Sequence, residues 1–375
     1  MDSTFYKWHP GTAIVARPWP FRPKLLPDEL LSSWLIRTAH ANGCDIMTLT
    51  GLIWPGWRVW TRDVDRHCPP RYLNELSTTC DVDPHAFEKA TLSPVSASIC
   101  GHLLPEKQLW PWILPIGARN RLRTGGLQYC PACLAEDSPH YRIGWRLAWN
   151  TACPKHEYLL HDRCHHCSLP IEPHRLEPIK NISCCTYCES NLKDAPTVKV
   201  NADSMSFQSQ ADMVAITGSG LFGKDSIPAP DWFSLAWFMS SYISMAVKRR
   251  SKSMIQALEN IGISNLLVPE SLHSIEFART DERHYLFQAV DKCIKMGKQC
   301  FIDALVVAGT TSNSFMNGKS TNSLAVLEIA NALPSASRGH RHESDSISIN
   351  HPNPRYVVEK RRIRLLQRIK AASNE

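Results

Sequence analysis

Between Tyr129 and Cys188 the chain places seven cysteines and one histidine in four close pairs: Cys130/Cys133, Cys153/His156, Cys164/Cys167 and Cys185/Cys188. In each pair two residues separate the ligands, a gap that lets both side chains reach one metal ion from a tight turn. Thiolate and imidazole donors in fours suit tetrahedral zinc, and four pairs make two sites, so two zinc ions per chain are expected. Four protein ligands leave no open coordination position, and the chemistry implied is structural.

Sequential pairing groups Cys130, Cys133, Cys153 and His156, with 19 residues between the pairs, and Cys164, Cys167, Cys185 and Cys188, with 17 between. A cross-braced arrangement has the same local spacing and stays open, although sequential pairing closes shorter loops. Cys184 is spare, because Cys185 makes the two-residue gap to Cys188. His161, His165, His166 and His174 read as surface polar residues. Other reactive patterns fall short. Gly318-Lys319-Ser320-Thr321 resembles the end of a phosphate-binding loop, but the first glycine of that motif would stand at 313, which is Asn313. Asp63 and Asp65 are close in sequence, yet a two-metal nuclease needs acids converging from strands, and strand patterns are scarce.

The 375 residues exceed what one hydrophobic core usually supports, so two or three domains are expected. Hydrophobic residues make up 43% and charged ones 21%, as in an ordinary folded protein, and the +7 charge mildly favours a polyanionic partner. The first ten residues, MDSTFYKWHP, lack the basic and apolar regions of a signal peptide, so a cytoplasmic location is expected, nucleoid-associated when on DNA. Close-spaced cysteines in that reducing compartment are metal ligands rather than disulfides. The stretch from Trp232 to Val247 is shorter than a membrane span and carries serines, and reads as a buried helix.

The elements that must position these residues are mainly helical. Residues 1 to 26, rich in proline and aromatics, read as an extended arm. A helix is expected to start at Pro27-Asp28-Glu29, with Leu30, Leu31, Trp34, Leu35 and Thr38 on one face and Gly43 as its stop. A short helix follows the cap Asp45. Beyond Trp54, Trp57 and Trp60, a helix from Pro70 to about Thr79 and a second opened by Asp83-Pro84 form a helix-turn-helix-like pair. The segment 93 to 128, with its Leu109 to Pro115 run, fits neither helix nor strand and ends in Arg119, Arg121 and Arg123, candidates for phosphate contact. Residues 195 to 230 read as a linker. Helices are expected over 231 to 249, 252 to about 260 and 281 to about 298. After a polar stretch, a basic amphipathic helix from 355 to 370 offers Lys360, Arg361, Arg362 and Arg364 to nucleic acid or an acidic partner. The division expected is a helical, helix-turn-helix-like domain over 1–125, a tandem zinc-ribbon domain over 126–195 with small β elements, and a helical domain over 196–375.

The strings WILPIGARNRLRTGGLQYCPACLAED and HYRIGWRLAWNTACPKHEYLLHDRCHHCSLPIEPHR, together with PDELLSSWLIRTAHANG and WTRDVDR, resemble the TniQ family of bacterial DNA transposons, including its TnsD-type members. The resemblance runs from 27 to about 190. It implies a non-catalytic target-selection adaptor that links target DNA, or an RNA-guided Cascade complex, to the AAA+ ATPase regulator and transposase, with a homodimer among its assemblies. No membrane and no small-molecule substrate is implied. The residues alone also admit a stand-alone, sequence-specific zinc-containing DNA-binding regulator and, more distantly, a metal-dependent nuclease.

Overall fold

The computed structural model describes residues 19–106, 108–116, 126–264 and 274–335. Thirteen α-helices and one two-stranded hairpin are found among them. The expected basic run Arg119, Arg121, Arg123 and the basic helix carrying Lys360, Arg361, Arg362 and Arg364 lie outside the described residues.

The first helix, α1, spans Leu31–Ala41, later than the Pro27 start expected from sequence. The acids that were to complement its dipole have other partners. Asp28 takes a left-handed backbone, φ 59°, and pairs with Arg142 at 2.8 Å and His140 at 3.3 Å. Glu29 is buried and accepts from Arg37 at 2.7 Å and Ser33 at 2.9 Å. The apolar face is as expected, with Leu30, Leu31, Trp34, Leu35 and Thr38 all buried, and Gly43 follows at φ 67°. The arm is anchored where it is described: the Trp34 indole donates to Pro23 O at 2.8 Å and packs against Trp19.

Helix α2 (Ile46–Ile53) begins at Asp45, whose carboxylate accepts from Thr48 N at 2.9 Å. Helices α3 (Pro70–Cys80) and α4 (Pro84–Lys89) pack as a hairpin, turned by Asp81 at φ 57°. A helix the sequence reading passed over, α5 (Ser93–Cys100), starts with Pro94 in its first turn and stops at Gly101, φ 75°. The remainder of the 93–128 segment is irregular where described, with turns, Trp112 at φ 66° and Ile113 bridged to Leu147.

The expected linker at 195–230 is folded. Helix α7 (Ser206–Thr217), which follows the one-turn helix α6 (Pro131–Leu134), buries Phe207, Gln208, Ala211 and Val214 on one side. Strands β1 (Ser219–Phe222) and β2 (Asp225–Pro228) then pair antiparallel, Phe222 opposite Asp225, around a two-residue loop led by Gly223. The apolar surface that holds this hairpin comes from α7 before it and from helices after it, which is why its own polar composition reads as a loop.

Helix α8 (Ala229–Arg249) is the axis of the C-terminal region. Asp231 in its first turn and Lys248 and Arg249 in its last complement the dipole, and Arg250 ends it at φ 48°. Helices α9 (Lys252–Asn260), α10 (Thr280–Met296), α11 (Lys298–Val307), α12 (Ser312–Met316) and α13 (Leu324–Ala332) complete the set. Of these α9, α10, α12 and α13 pack on α8. The α10 stripe Leu286, Ala289, Val290, Cys293 and Ile294 is buried, whereas Tyr285 is exposed. No described helix is long and apolar enough to cross a membrane.

The described core is continuous from α1 to α13. Trp112 packs its indole against Trp149, Phe207, Phe233 and Phe287, and donates from Nε1 to Phe233 O at 3.2 Å. Buried Gln208 accepts from Thr151 N and Ala152 N and donates to Ala152 O at 2.9 Å, so α7 is stitched to the cysteine-rich centre.

At the hairpin, Gly223 has φ 63° and faces Gly297 so closely that an added Cβ would lie 2.6 Å from Gly297 Cα. Neither backbone can yield, so Gly223→Ala should destabilise the protein by about 2–4 kcal/mol, from left-handed strain plus overpacking. A thermal-unfolding midpoint equal to wild type would count against this packing.

Candidate metal centres

The centre from 126 to 195 has little regular structure, and its conformation is set by four short turns carrying the paired ligands. Three are built alike. In each, the amide of the residue four past the first cysteine donates back to that cysteine's carbonyl: Glu157 to Cys153 at 2.8 Å, Ser168 to Cys164 at 3.0 Å and Glu189 to Cys185 at 2.9 Å. The first cysteine's amide in turn donates to the carbonyl one residue further on, at Tyr158, Leu169 and Ser190. Glu157, Ser168 and Glu189 sit at φ 56°, 59° and 60°, a left-handed conformation that costs about 1–2 kcal/mol for a residue with a side chain. The fourth turn differs: Cys130 precedes α6, and Cys133 lies one turn along it.

These turns bring the ligands together in sequential order. Cys130, Cys133, Cys153 and His156 form one cluster and Cys164, Cys167, Cys185 and Cys188 the other, with all ligand atoms of a cluster within 4.8 Å of one another. The cross-braced alternative is not the arrangement formed. In the first cluster Cys133 and Cys153 Sγ are 3.5 Å apart, and His156 Nδ1 lies 3.6, 3.3 and 3.5 Å from Cys130, Cys133 and Cys153. In the second, Cys164 and Cys188 are 3.6 Å apart, as are Cys167 and Cys185. A tetrahedron with metal–sulfur bonds of about 2.3 Å has sulfur–sulfur edges of roughly 3.8 Å, so both clusters fit a zinc-sized ion with a small expansion.

The electrostatics favour a cation at each centre. Hydrogen bonds from Cys130 and Cys133 pull the Cys153 thiol far below its ordinary range. Hydrogen bonding with Cys130 and Cys153, together with burial, pushes Cys133 far above it. In the second cluster burial pushes Cys185 up to about 12. Several thiolates cannot be crowded together without compensating positive charge, and a bound metal supplies it. Outside the first cluster, Glu136 Oε1 lies 3.6 Å from His156 Nε2, on the ring face turned away from the thiols, and is fixed by Lys155 at 2.8 Å.

The nearby residues excluded from the ligand sets have other work. The Cys184 backbone bridges to Asn191. His161 stacks on Tyr129 and contacts Pro196 O at 2.8 Å, and His174 stacks on Trp60, half-buried rather than on the surface as expected from sequence.

Asp63 and Asp65, weighed as an acid pair for metal chemistry, meet the buried guanidinium of Arg146 instead. Arg146 Nη2 is 2.5 Å from Asp63 Oδ2 and Nη1 is 3.3 Å from Asp65 Oδ2, while Nε and Nη2 donate to Leu114 O at 3.1 and 2.7 Å. Asp65 also accepts from Ser32 N at 2.8 Å and Ser32 Oγ at 2.7 Å. Burial pushes the Asp65 carboxyl up to about 6 against the pull of Arg146, and the paired acids keep Arg146 charged despite its burial. Gly318 to Thr321 is likewise no phosphate loop: it connects α12 to α13, and Lys319 Nζ lies 3.7 Å above the Trp237 ring.

The fold and these sites define a mainly helical protein organised around two closed Cys/His clusters of the metal-ribbon type. Residues 20–160 match the model of the TniQ family, which supports a transposon-associated function. The match takes in the first cluster and the Arg146 network and ends before the second cluster. A search of the curated proteins returned no match.

Cys130→Ser should lower bound metal from two ions to one per chain and collapse the protein around the first cluster, read by elemental analysis and near-ultraviolet circular dichroism. A variant that stays fully folded with both ions would refute the ligand assignment. Arg146→Met should cost about 3–5 kcal/mol, because it strands the buried Asp65 carboxylate and the half-buried Asp63 beside it. Adding Asp63→Asn and Asp65→Asn should recover much of the lost stability, and a triple variant no better than the single one would show that charge is not the cause.

Proposed function

We propose that the chain is a non-catalytic target-selection adaptor of a bacterial DNA transposon. It would link target DNA, or an RNA-guided Cascade complex, to the AAA+ ATPase regulator and its transposase. The observation that carries this reading is the TniQ match over residues 20–160 coinciding with a region whose Cys/His cluster and Asp63–Asp65 pair are both taken up in structural contacts. The thiols and imidazole of the first cluster face one another, and the acids Asp63 and Asp65 are held by Arg146 and Ser32. Such a region binds and positions; chemistry would be supplied by partners.

In this reading Cys130, Cys133, Cys153 and His156 hold one zinc ion and Cys164, Cys167, Cys185 and Cys188 a second, each locking two knuckles into one scaffold. Three functional regions follow: 1–125 for partner or DNA contact through the α3–α4 hairpin, 126–195 for the zinc scaffold, and 196–375 for a helical body with a basic end. Arg119, Arg121, Arg123, Lys360, Arg361, Arg362 and Arg364 are proposed to contact nucleic acid or partner. The protein would work in the cytoplasm, alone or as a homodimer. The α3–α4 hairpin does not favour a stand-alone regulator, since α4 has six residues and its exposed face carries the pair His85 and Glu88, 3.1 Å apart, rather than a row of cations.

The test is capture of a transposon AAA+ ATPase regulator by the purified, zinc-loaded protein, with and without ATP and target DNA. Retention of the ATPase, and loss of integration in cells when the gene is deleted, is the expected result. Tight sequence-specific DNA binding with no ATPase capture and unchanged integration would replace the adaptor with the regulator.

A further inference from the structure

The C-terminal end of α8 borders a groove of about 250 Å³ lined by Trp237, Ser244, Lys248, Arg249, Asn317 and Lys319 among others. None of the described residues that line it is acidic, and three carry positive charge. Among the described residues no carboxylate lies within ion-pair distance of Lys248, Arg249 or Lys319, in contrast to Lys295 and Lys298, each of which has one. Arg249 reaches only Asn317 Oδ1, at 3.5 Å, and Lys319 lies over the Trp237 ring. The nearest acidic influence on Lys319 is Glu276, whose oxygens are already taken by the Trp112 amide at 3.0 Å and the Ser274 hydroxyl.

A helix dipole attracts cations to the last turn, and this accounts for Lys248 and Arg249 on α8. It does not account for Lys319, which arrives from the α12–α13 connection, nor for a concave surface without acids. Concentrated positive charge, with the Asn317 amide beside it, matches a run of phosphates. The single aromatic ring in the groove is capped by Lys319, so it offers no open platform for an unpaired base. That favours a duplex, whose bases are stacked internally and whose backbone alone is presented.

We propose that this groove seats the sugar–phosphate backbone of duplex DNA, through Lys248, Arg249 and Lys319. It deepens the adaptor reading by assigning a nucleic-acid contact apart from the arginines near residue 120 and the C-terminal basic helix. DNA is the duplex that a transposon-associated protein meets.

The experiment is fluorescence anisotropy of the full-length protein with a labelled DNA duplex across a salt series, comparing wild type with Lys248→Gln/Arg249→Gln/Lys319→Gln. The triple variant should bind tenfold or more weakly at low salt, and its log-affinity slope against log salt should fall by about 2 to 3, one counterion release per lost contact. Metal content and melting temperature should not change, and Lys193→Gln/Lys199→Gln should bind like wild type. An unchanged slope would overturn the proposal, as would an RNA duplex or poly-glutamate bound as tightly as the DNA. ATPase capture is measured on the same samples. Capture with an unchanged slope would remove the groove alone, and a reduced slope without capture by wild type would remove the adaptor reading alone.

Discussion

The buried guanidinium of Arg146 ties the Asp63–Asp65 segment, and through Asp65 the start of α1, to the cysteine-rich centre. Its five donors are divided between two carboxylates of one segment, Asp63 and Asp65, and one backbone carbonyl, Leu114 O, from another. Asp65 is tied to Ser32 at the start of α1, Asp63 sits beside it, and Leu114 follows Ile113, which is bridged to Leu147. The Leu114 amide returns to Arg146 O at 2.8 Å, so the exchange runs in both directions. A buried ion triad contributes little net stability against an apolar alternative, but it is unforgiving of wrong partners. Only one arrangement of the N-terminal helices on the cysteine-rich centre satisfies all three charges, and that is how a region with little regular structure comes to have a fixed neighbour.

The ligand clusters act at shorter range. Each gathers two turns, and three of the four turns hold a non-glycine residue in a left-handed conformation directly after the second ligand. That strain recurs at the same step of each turn, which implies that something at the cluster offsets it. Metal binding is the available source, since ligand formation and folding are one process in sites of this kind. The two constraints are complementary: the clusters give the centre its local shape, and Arg146 gives that shape its orientation toward α1 and α5.

How much of this could be read from the sequence follows from range. The eight cluster residues were legible because their spacing is a local property of each turn; loop length favoured sequential pairing without excluding the cross-braced one, and the fold brings the ligands together sequentially. Helices α2, α3 and α9 were legible from caps and periodicity. The start of α1 was not, because Asp28 and Glu29 look like good first-turn acids until Arg142 and Arg37 are known to compete for them. Helix α7 carried its own signal in Phe207, Gln208, Ala211 and Val214, masked by a polar, serine-rich composition. The β1–β2 hairpin had no such signal, since its register depends on Trp232 and Gly297 from later elements. The sequence argues against metal chemistry at Asp63 and Asp65 but does not show what holds them: Arg146 lies more than 80 residues away, and only folding brings it there.

The picture of two closed scaffolding sites is open to one spectroscopic measurement, X-ray absorption at the zinc edge of the purified protein. Seven sulfur and one nitrogen neighbours shared between two ions, with no oxygen in the inner shell, is the result expected from Cys130, Cys133, Cys153, His156, Cys164, Cys167, Cys185 and Cys188. A water-derived oxygen bound to either ion, or a spectrum with a single ion per chain, would contradict it and reopen the question of chemistry at the metal.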